Sequence, residues 1–404
     1  MKIATSYSHL PTTEAAIAEA CARLRAKLAD RSPELLGVHW SSSYQGSTIK
    51  SLLQREFPHS QIHGASSCRG VMTEAGVALE EGRGLGLLAL CDSGGAYGVY
   101  GGELGDNPRE EAGGVVLKAI CEAGRPGEVP DMVRISTSPG QEDEVLAGIE
   151  DLLGPMVPVI GGSAADNLVA GDWELLSCQG HWQRGLVVSV YYPSTPISFA
   201  FHNGYSPTEH HGRVTKGSGR VVREIDHQPA AEVYNRWTRG LIAKALPRGG
   251  RILQETTLSP LGRPVDRIGK TFYYNLHHPE QVTADGGLCL FSPVNEGDEL
   301  FLMRGTTETL ISRAGRVAQS ALKAGRFTPE NISGALVVYC AGCMLTLQQR
   351  IDEVADSLNG ALGGKPFLGS FTFGEQGCFI GGANRHANLM ISVIIFGTTV
   401  KVQR

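Results

Sequence analysis

Residues Gly334 to Asn388 read GALVVYCAGCMLTLQQRIDEVADSLNGALGGKPFLGSFTFGEQGCFIGGANRHAN. The run ALVVYCAG is apolar and β-branched, the composition of a buried strand. Past Cys340-Ala-Gly-Cys343, the residues Leu347, Ile351, Val354 and Leu358 recur at i, i+4, i+7 and i+11, which predicts a helix with one inward face. Gly363-Gly364 closes that helix, and PFLGSFTFGEQG follows as a second strand. Strand, helix and strand make a β-α-β unit with chemistry at its turns.

The same order occurs twice earlier. LLGVHWSSS leads to a helix with Ile49, Leu52, Leu53 and Phe57 inward and then to QIHGASSC; VRISTSPG leads to a helix with Val145, Ile149 and Leu152 inward and then to VPVIGGSAADN. From Ser41 to Gly64, Ser136 to Gly161 and Cys340 to Gly369 the separations by subtraction are 23, 25 and 29. Three similar units predict a repeated architecture, although any α/β protein reiterates strand-helix-strand. Each unit delivers a small polar loop at the C-terminal end of a buried strand, where open α/β sheets bind ligands.

Between the units, GLGLLALCD, AYGVYGGEL, WELLSCQG, GLVVSVYY and PISFAFHNGY have strand composition with Gly and Pro between them, so antiparallel hairpins are expected. The segment PTEHHGRVTKGSGRVV, Pro207 to Val222, turns polar and places a boundary there. The expected fold is α/β, two domains with mixed sheets built from β-α-β units and antiparallel hairpins, divided as 1–210 and 211–404.

Composition excludes several classes. At 404 residues, 42% hydrophobic and 19% charged, the chain buries a large core, and its net charge of -5, from 36 basic against 41 acidic residues, argues against a nucleic-acid or anionic membrane surface. Its N-terminus lacks the apolar core of a secretory signal, and no apolar run approaches the roughly 20 residues of a membrane span, so a cytoplasmic location is expected. Most of its nine cysteines lie alone in apolar segments, as reduced core thiols do. No Ser-His-Asp order, HExxH helix, Walker loop or dinucleotide fingerprint is recognisable.

Five phrases in order, GGSAADN at Gly161, IDHQPAAEVY at Ile225, VNEGDELFLM at Val294, YCAG at Tyr339 and GEQG with NRHAN up to Asn388, resemble the paired N-terminal and C-terminal FIST domains of bacterial intracellular sensory proteins. The resemblance covers the chain from about residue 30 onward and assigns 1–210 and 211–404 to the two domains. It implies a ligand-sensing module that signals through a partner such as a histidine kinase, with amino acids proposed as ligands. A subset of the family binds haem b and senses nitric oxide. Cys343 departs from the pattern, standing where the family more often has Arg or another polar residue.

The ligand surroundings are read as Ser66, Ser67, Gly161, Gly162, Ser163 and Asn167 in the strand-end loops, with Cys340, Cys343, Glu375, Arg385 and His386 in the last unit. Free N–H groups and hydroxyls in such loops can hold a carboxylate. Glu375, between glycines, can meet an ammonium group or pair with Arg385. For haem, the axial candidates are His39, His63, His202 and His386, each of which also reads as an ordinary core or surface histidine. Covalent haem attachment is disfavoured because Met344 follows Cys343 where His is required, and two cysteines alone do not make a zinc site. The alternative function is a thiol-disulfide oxidoreductase or redox sensor using Cys340 and Cys343, since a thiol at a strand-to-helix turn can be activated.

Overall fold

The structure, a computed structural model, describes residues 1–269, 271–379 and 382–398. Its first repeat comprises β1 (Lys2–Ser8), α1 (Thr13–Leu28), β2 (Leu35–Trp40), α2 (Gly46–Glu56), β3 (Gln61–Ser66), β4 (Val71–Thr73), β5 (Gly76–Ala78) and β6 (Leu85–Cys91). The second follows the same plan: β7 (Ala96–Glu103), α3 (Pro108–Glu122), β8 (Met132–Thr137), α4 (Glu142–Leu153), β9 (Val159–Ser163), β10 (Leu175–Ser177), β11 (His181–Trp182) and β12 (Gly185–Tyr192).

A third repeat opens with β13 (Ile197–Asn203) and is interrupted by an insertion. That insertion holds β14 (Ser206–Ser218), β15 (Val221–Ile225), β16 (Gln228–Pro229), α5 (Ala230–Trp237), β17 (Gly250–Arg251), α6 (Leu253–Thr256), β18 (Leu261–Ile268), β19 (Thr271–His277), β20 (Pro279–Val282), β21 (Leu288–Leu290) and β22 (Glu299–Arg304). The repeat then resumes with α7 (Thr307–Gly325), β23 (Ile332–Cys340), α8 (Ala341–Leu347), α9 (Ile351–Leu362), β24 (Phe367–Thr372), β25 (Gly374–Cys378), β26 (Asn384–Ala387) and β27 (Met390–Gly397).

Each repeat builds a six-stranded mixed sheet with one strand order: β1-β6-β2-β3-β10-β11, β7-β12-β8-β9-β25-β26 and β13-β27-β23-β24-β4-β5. Among the described residues only the central pairs β2/β3, β8/β9 and β23/β24 are parallel, which is the geometry a helical crossover imposes. The small hairpin after each central pair crosses to a neighbouring sheet: β4-β5 joins the third, β10-β11 the first and β25-β26 the second. The three sheets therefore interlock cyclically, with helices outside and one shared core inside, where Leu35, Leu88, Met132, Val187, Leu336 and Ile394 meet.

Local sequence explains the helices. In α7, Thr306 and Thr309 form a reciprocal capping box, and Leu310, Ala314, Val317 and Ala321 bury one face. The helix expected through Leu347 and Ile351 is instead two pieces, broken at Gln348 with φ 42°. The bend lets Met344 and Leu347 bury in α8 while Ile351, Val354 and Leu358 bury in α9. On α4 the inward positions are Val145, Leu146 and Ile149, whereas Leu152, expected inward, is 38% exposed. The consecutive strands β6 and β7 do not form the expected hairpin but lie in different sheets, because each repeat's last strand returns beside its own β-α-β pair.

The insertion forms a nine-stranded sheet with its own core around Val222, Ile225, Tyr234, Leu288 and Leu300. Position 210/211 falls inside β14, its first strand. Its contacts place it over the strand ends of the second and third repeats: Asn388 N–H donates to Leu276 O at 3.1 Å, Asn275 Nδ2 to His386 O at 2.9 Å, and Arg220 to Glu142 at 2.9 Å.

Candidate functional site

In register, Trp40 faces Ser66, Thr137 faces Ser163 and Cys340 faces Thr372, so the three repeats bring a small hydroxyl to the same strand end. At the third of these, Cys340 ends β23 and Cys343 lies on the first turn of α8, both buried. Burial, reinforced by the hydrogen-bonded Cys343 beside it, pushes the Cys340 thiol well up, so it is protonated. Glu375 on β25 is buried as well; it accepts from Thr372 Oγ1 at 2.7 Å and Met390 N–H at 3.0 Å. Burial first, then Cys340, holds its carboxyl well above the usual range. Tyr205, in the link that leads into the insertion, reaches in, with its hydroxyl 3.6 Å from Cys343 Sγ.

Between this corner and the insertion lies a cavity of about 40 Å³, with Cys340, Gly342 and Thr372 on one side and Leu253, His278 and Asn388 closing it. That volume holds a few water molecules or a ligand of a few heavy atoms. An added Cβ at Gly342 would meet Cys340 Sγ at 3.5 Å and His278 Cε1 at 3.8 Å, so the thiol and the imidazole approach one point. His278 Nε2 and Asn388 Nδ2 are buried without hydrogen-bond partners. Such atoms are uncommon in folded proteins and each calls for a partner. The Asn388 amide is oriented by its oxygen, which accepts from Ser292 Oγ at 3.0 Å. Burial lowers His278 to about 4, so its ring is neutral.

The other expected residues sit elsewhere. Ser66 Oγ accepts Glu174 N–H at 2.8 Å, and Ser67 Oγ donates to Gly70 O and accepts Phe371 N–H. Their own N–H groups are bonded to Glu174 O and Trp40 O, while Ala164 N–H bonds to Thr137 O, so these loops do not present the free N–H groups expected for a carboxylate. Asn167 ties loops together, accepting from Arg69 N–H and donating to Ser43 and Gly82. Gly161 and Gly162 lie in close packing; a Cβ on Gly162 would come within 2.5 Å of Thr372 Cγ2. Among the described contacts Arg385, opposite Gly377, makes no ion pair with Glu375, whose two oxygens are taken by Thr372 and Met390.

Ser163 belongs to a second polar corner. Its hydroxyl donates to Glu142 Oε1 at 2.9 Å and accepts from Gln376 Nε2 at 3.2 Å; Gln376 in turn lies 3.1 Å from His386 Nδ1. Burial works to raise the Glu142 carboxyl, but His386, Arg220 and the Ser163 hydrogen bond outweigh it and hold it below the ordinary value. Sequence reasoning passed over Glu142, Arg220 and His278. The only signal for the last is the His277-His278 pair following an aromatic strand.

Two of the four haem candidates, His39 and His63, have both ring nitrogens already engaged. His39 has both ring nitrogens engaged, by Ala65 O at 2.9 Å and Arg134 at 2.7 Å, and burial, then Arg134, lowers it to about 3. His63 is held by Ser189 and Ser136. His202 Nδ1 accepts Asn203 N–H, leaving Nε2 of His202 and of His386, and neither residue lines the strand-end cavity or the wider surface groove. Among the described residues no three His, Cys, Asp or Glu side chains are grouped to hold a metal ion. A wider open groove of about 1020 Å³ runs between α3 and α4 on the outer surface, lined by the Arg109–Asp151 ion pair and, just past the end of β8, by Gly140 and Gln141.

Fold and site together define an α/β protein of three interlocked repeats with a small cavity under an inserted sheet. Residues 34–228 match the FIST N domain and residues 230–378 the FIST C domain, and the chain belongs to the FIST family. FIST domains are associated with sensory signalling and small-ligand binding. An uncharacterized protein of Methanocaldococcus jannaschii is 30% identical over 176 residues, 41% of this chain and 33% of that one, so the match spans a third of that relative's length. Among solved structures, the chain is similar to a cyanuric acid hydrolase from A. caulinodans, at 10% identity, TM-score 0.42, and 98% and 99% coverage of the two chains. A second cyanuric acid hydrolase structure gives 7% identity and TM-score 0.37 at the same coverage. Among the described residues no helix is long and apolar enough to cross a membrane.

Proposed function

We propose that the chain is a non-enzymatic sensor whose small-molecule ligand occupies the strand-end cavity and whose output passes to a signalling partner such as a histidine kinase. One observation carries the location: His278 and Asn388 line the cavity beside Cys340, and each has a side-chain nitrogen, Nε2 and Nδ2, that is buried without a hydrogen-bond partner. A buried polar atom left unsatisfied costs about 1–3 kcal/mol, which a ligand meeting both atoms recovers. Family membership supports the sensory role and the existence of a partner.

His278 belongs to the insertion, and Cys340 and Asn388 to the third repeat. A ligand larger than a few atoms enters only if these walls separate, and that motion is the signal. The redox alternative draws support from the contact of the two sulfurs. The thiolate is the reactive species, however, and burial keeps Cys340 protonated, so ligand contact is the better-supported role.

The test is a thermal-shift screen of amino acids, haem and small amides against the wild type and Gly342→Leu, whose added side chain fills the cavity. A ligand of this site raises the melting temperature of the wild type and leaves the folded variant unmoved. If every stabilising compound shifts both proteins equally, the cavity is not the site.

A further inference from the structure

The chemistry of the cavity wall narrows the ligand class, on the footing that the proposed site is the right one. Ten residues line the cavity and none is Asp, Glu, Lys or Arg. Burial also biases the nearby ionisable groups toward their neutral forms, pushing the Cys340 thiol and the Glu375 carboxyl up and the His278 imidazole down. His278 Nε2 is buried without a hydrogen-bond partner, and on a neutral ring it can serve as an acceptor. Asn388 supplies the complement. Its oxygen is taken by Ser292, so Nδ2 is a free donor. Thr372 already donates to Glu375, and Leu253, Phe291, Leu345 and Phe373 supply apolar walls.

An ammonium or carboxylate entering this space loses its hydration and meets no opposite charge, which is strongly unfavourable. We infer that the ligand is a small uncharged molecule presenting a hydrogen-bond donor beside an acceptor, as a primary amide or lactam does, with a short apolar tail. Its N–H donates to His278 Nε2 and its carbonyl accepts from Asn388 Nδ2. A zwitterionic amino acid, the class that the family resemblance favours, matches neither the neutrality nor the apolar walls.

Isosteric probes test this on the full chain: propionamide, propionate, propylammonium and alanine, compared by saturation-transfer NMR titration. Propionamide is expected to bind at least tenfold more tightly than each charged probe. Gly342→Leu and Asn388→Leu abolish that binding, and His278→Phe weakens it tenfold or more. His278→Gln, which restores an acceptor, keeps it within about threefold, separating recognition from loss of fold.

A charged probe binding as tightly as propionamide, and lost in Gly342→Leu, overturns the ligand class while leaving the site in place. Absence of propionamide binding also overturns the class. Binding of propionamide that survives Gly342→Leu overturns the site itself.

Discussion

Glu375 illustrates how burial changes what a residue can do. Between glycines it reads as a carboxylate that can meet an ammonium group or pair with Arg385, yet it is enclosed and hydrogen-bonded to Thr372 and Met390. Its folded value is raised, so above the ordinary carboxylate pKa the unfolded chain releases a proton that the folded chain keeps. Stability from this group is therefore full at low pH and is lost as pH rises toward the folded value. Glu375→Gln removes the titration. Urea midpoints should show the variant gaining on the wild type between pH 5 and 8; a constant difference across that range means that Glu375 is ionised in the fold. Cys340 and Glu375 could be singled out from sequence because each stands at a strand end among small residues. His278 could not, because it reaches the cavity from an insertion and nothing local marks its unpaired nitrogen.

At the scale of elements, the insertion shares the third repeat's apolar core through Leu276 and Met303 and is held in addition by directional contacts. The Arg220–Glu142 pair joins the turn between β14 and β15 to the start of α4, with Glu142 3% exposed and Arg220 31% exposed. Losing the arginine leaves a buried carboxylate with Ser163 and the Gly140 N–H as its partners. Discounted for the solvent reaching Arg220, the cost is about 1–2 kcal/mol. Hydrogen exchange in Arg220→Ala should accelerate in β14 and β15 and leave β2, β8 and β23 unchanged; uniform acceleration would show that the pair does not act as a local latch. The three β-α-β units were legible because their strands are fully buried and their helices keep a regular apolar spacing. Pairing of β6 with β1 rather than β7 was not, since strand composition reports burial and says nothing of which neighbour supplies the hydrogen bonds. The break at Gln348 was hidden for a related reason: the apolar spacing runs straight through it.

For the whole molecule, interlocked hairpins make one body of the three repeats, whereas the insertion enters and leaves the third repeat through residues 204–205 and 305–306. The cavity sits where these two parts meet. The parallel in order among the units could be read from spacing, but the cyclic exchange of hairpins and the position of the inserted sheet depend on contacts remote in sequence. The same arrangement gives the ligand its leverage, because the walls around it come from both the insertion and the repeats. The central claim, that this cavity is where a small molecule is held, is tested most directly by mass spectrometry of compounds released when the purified chain is denatured. Wild-type protein should release a small uncharged molecule in near-stoichiometric amount and Gly342→Leu, folded to the same extent, should release none. Release of the same compound in equal amount from both proteins would contradict the account.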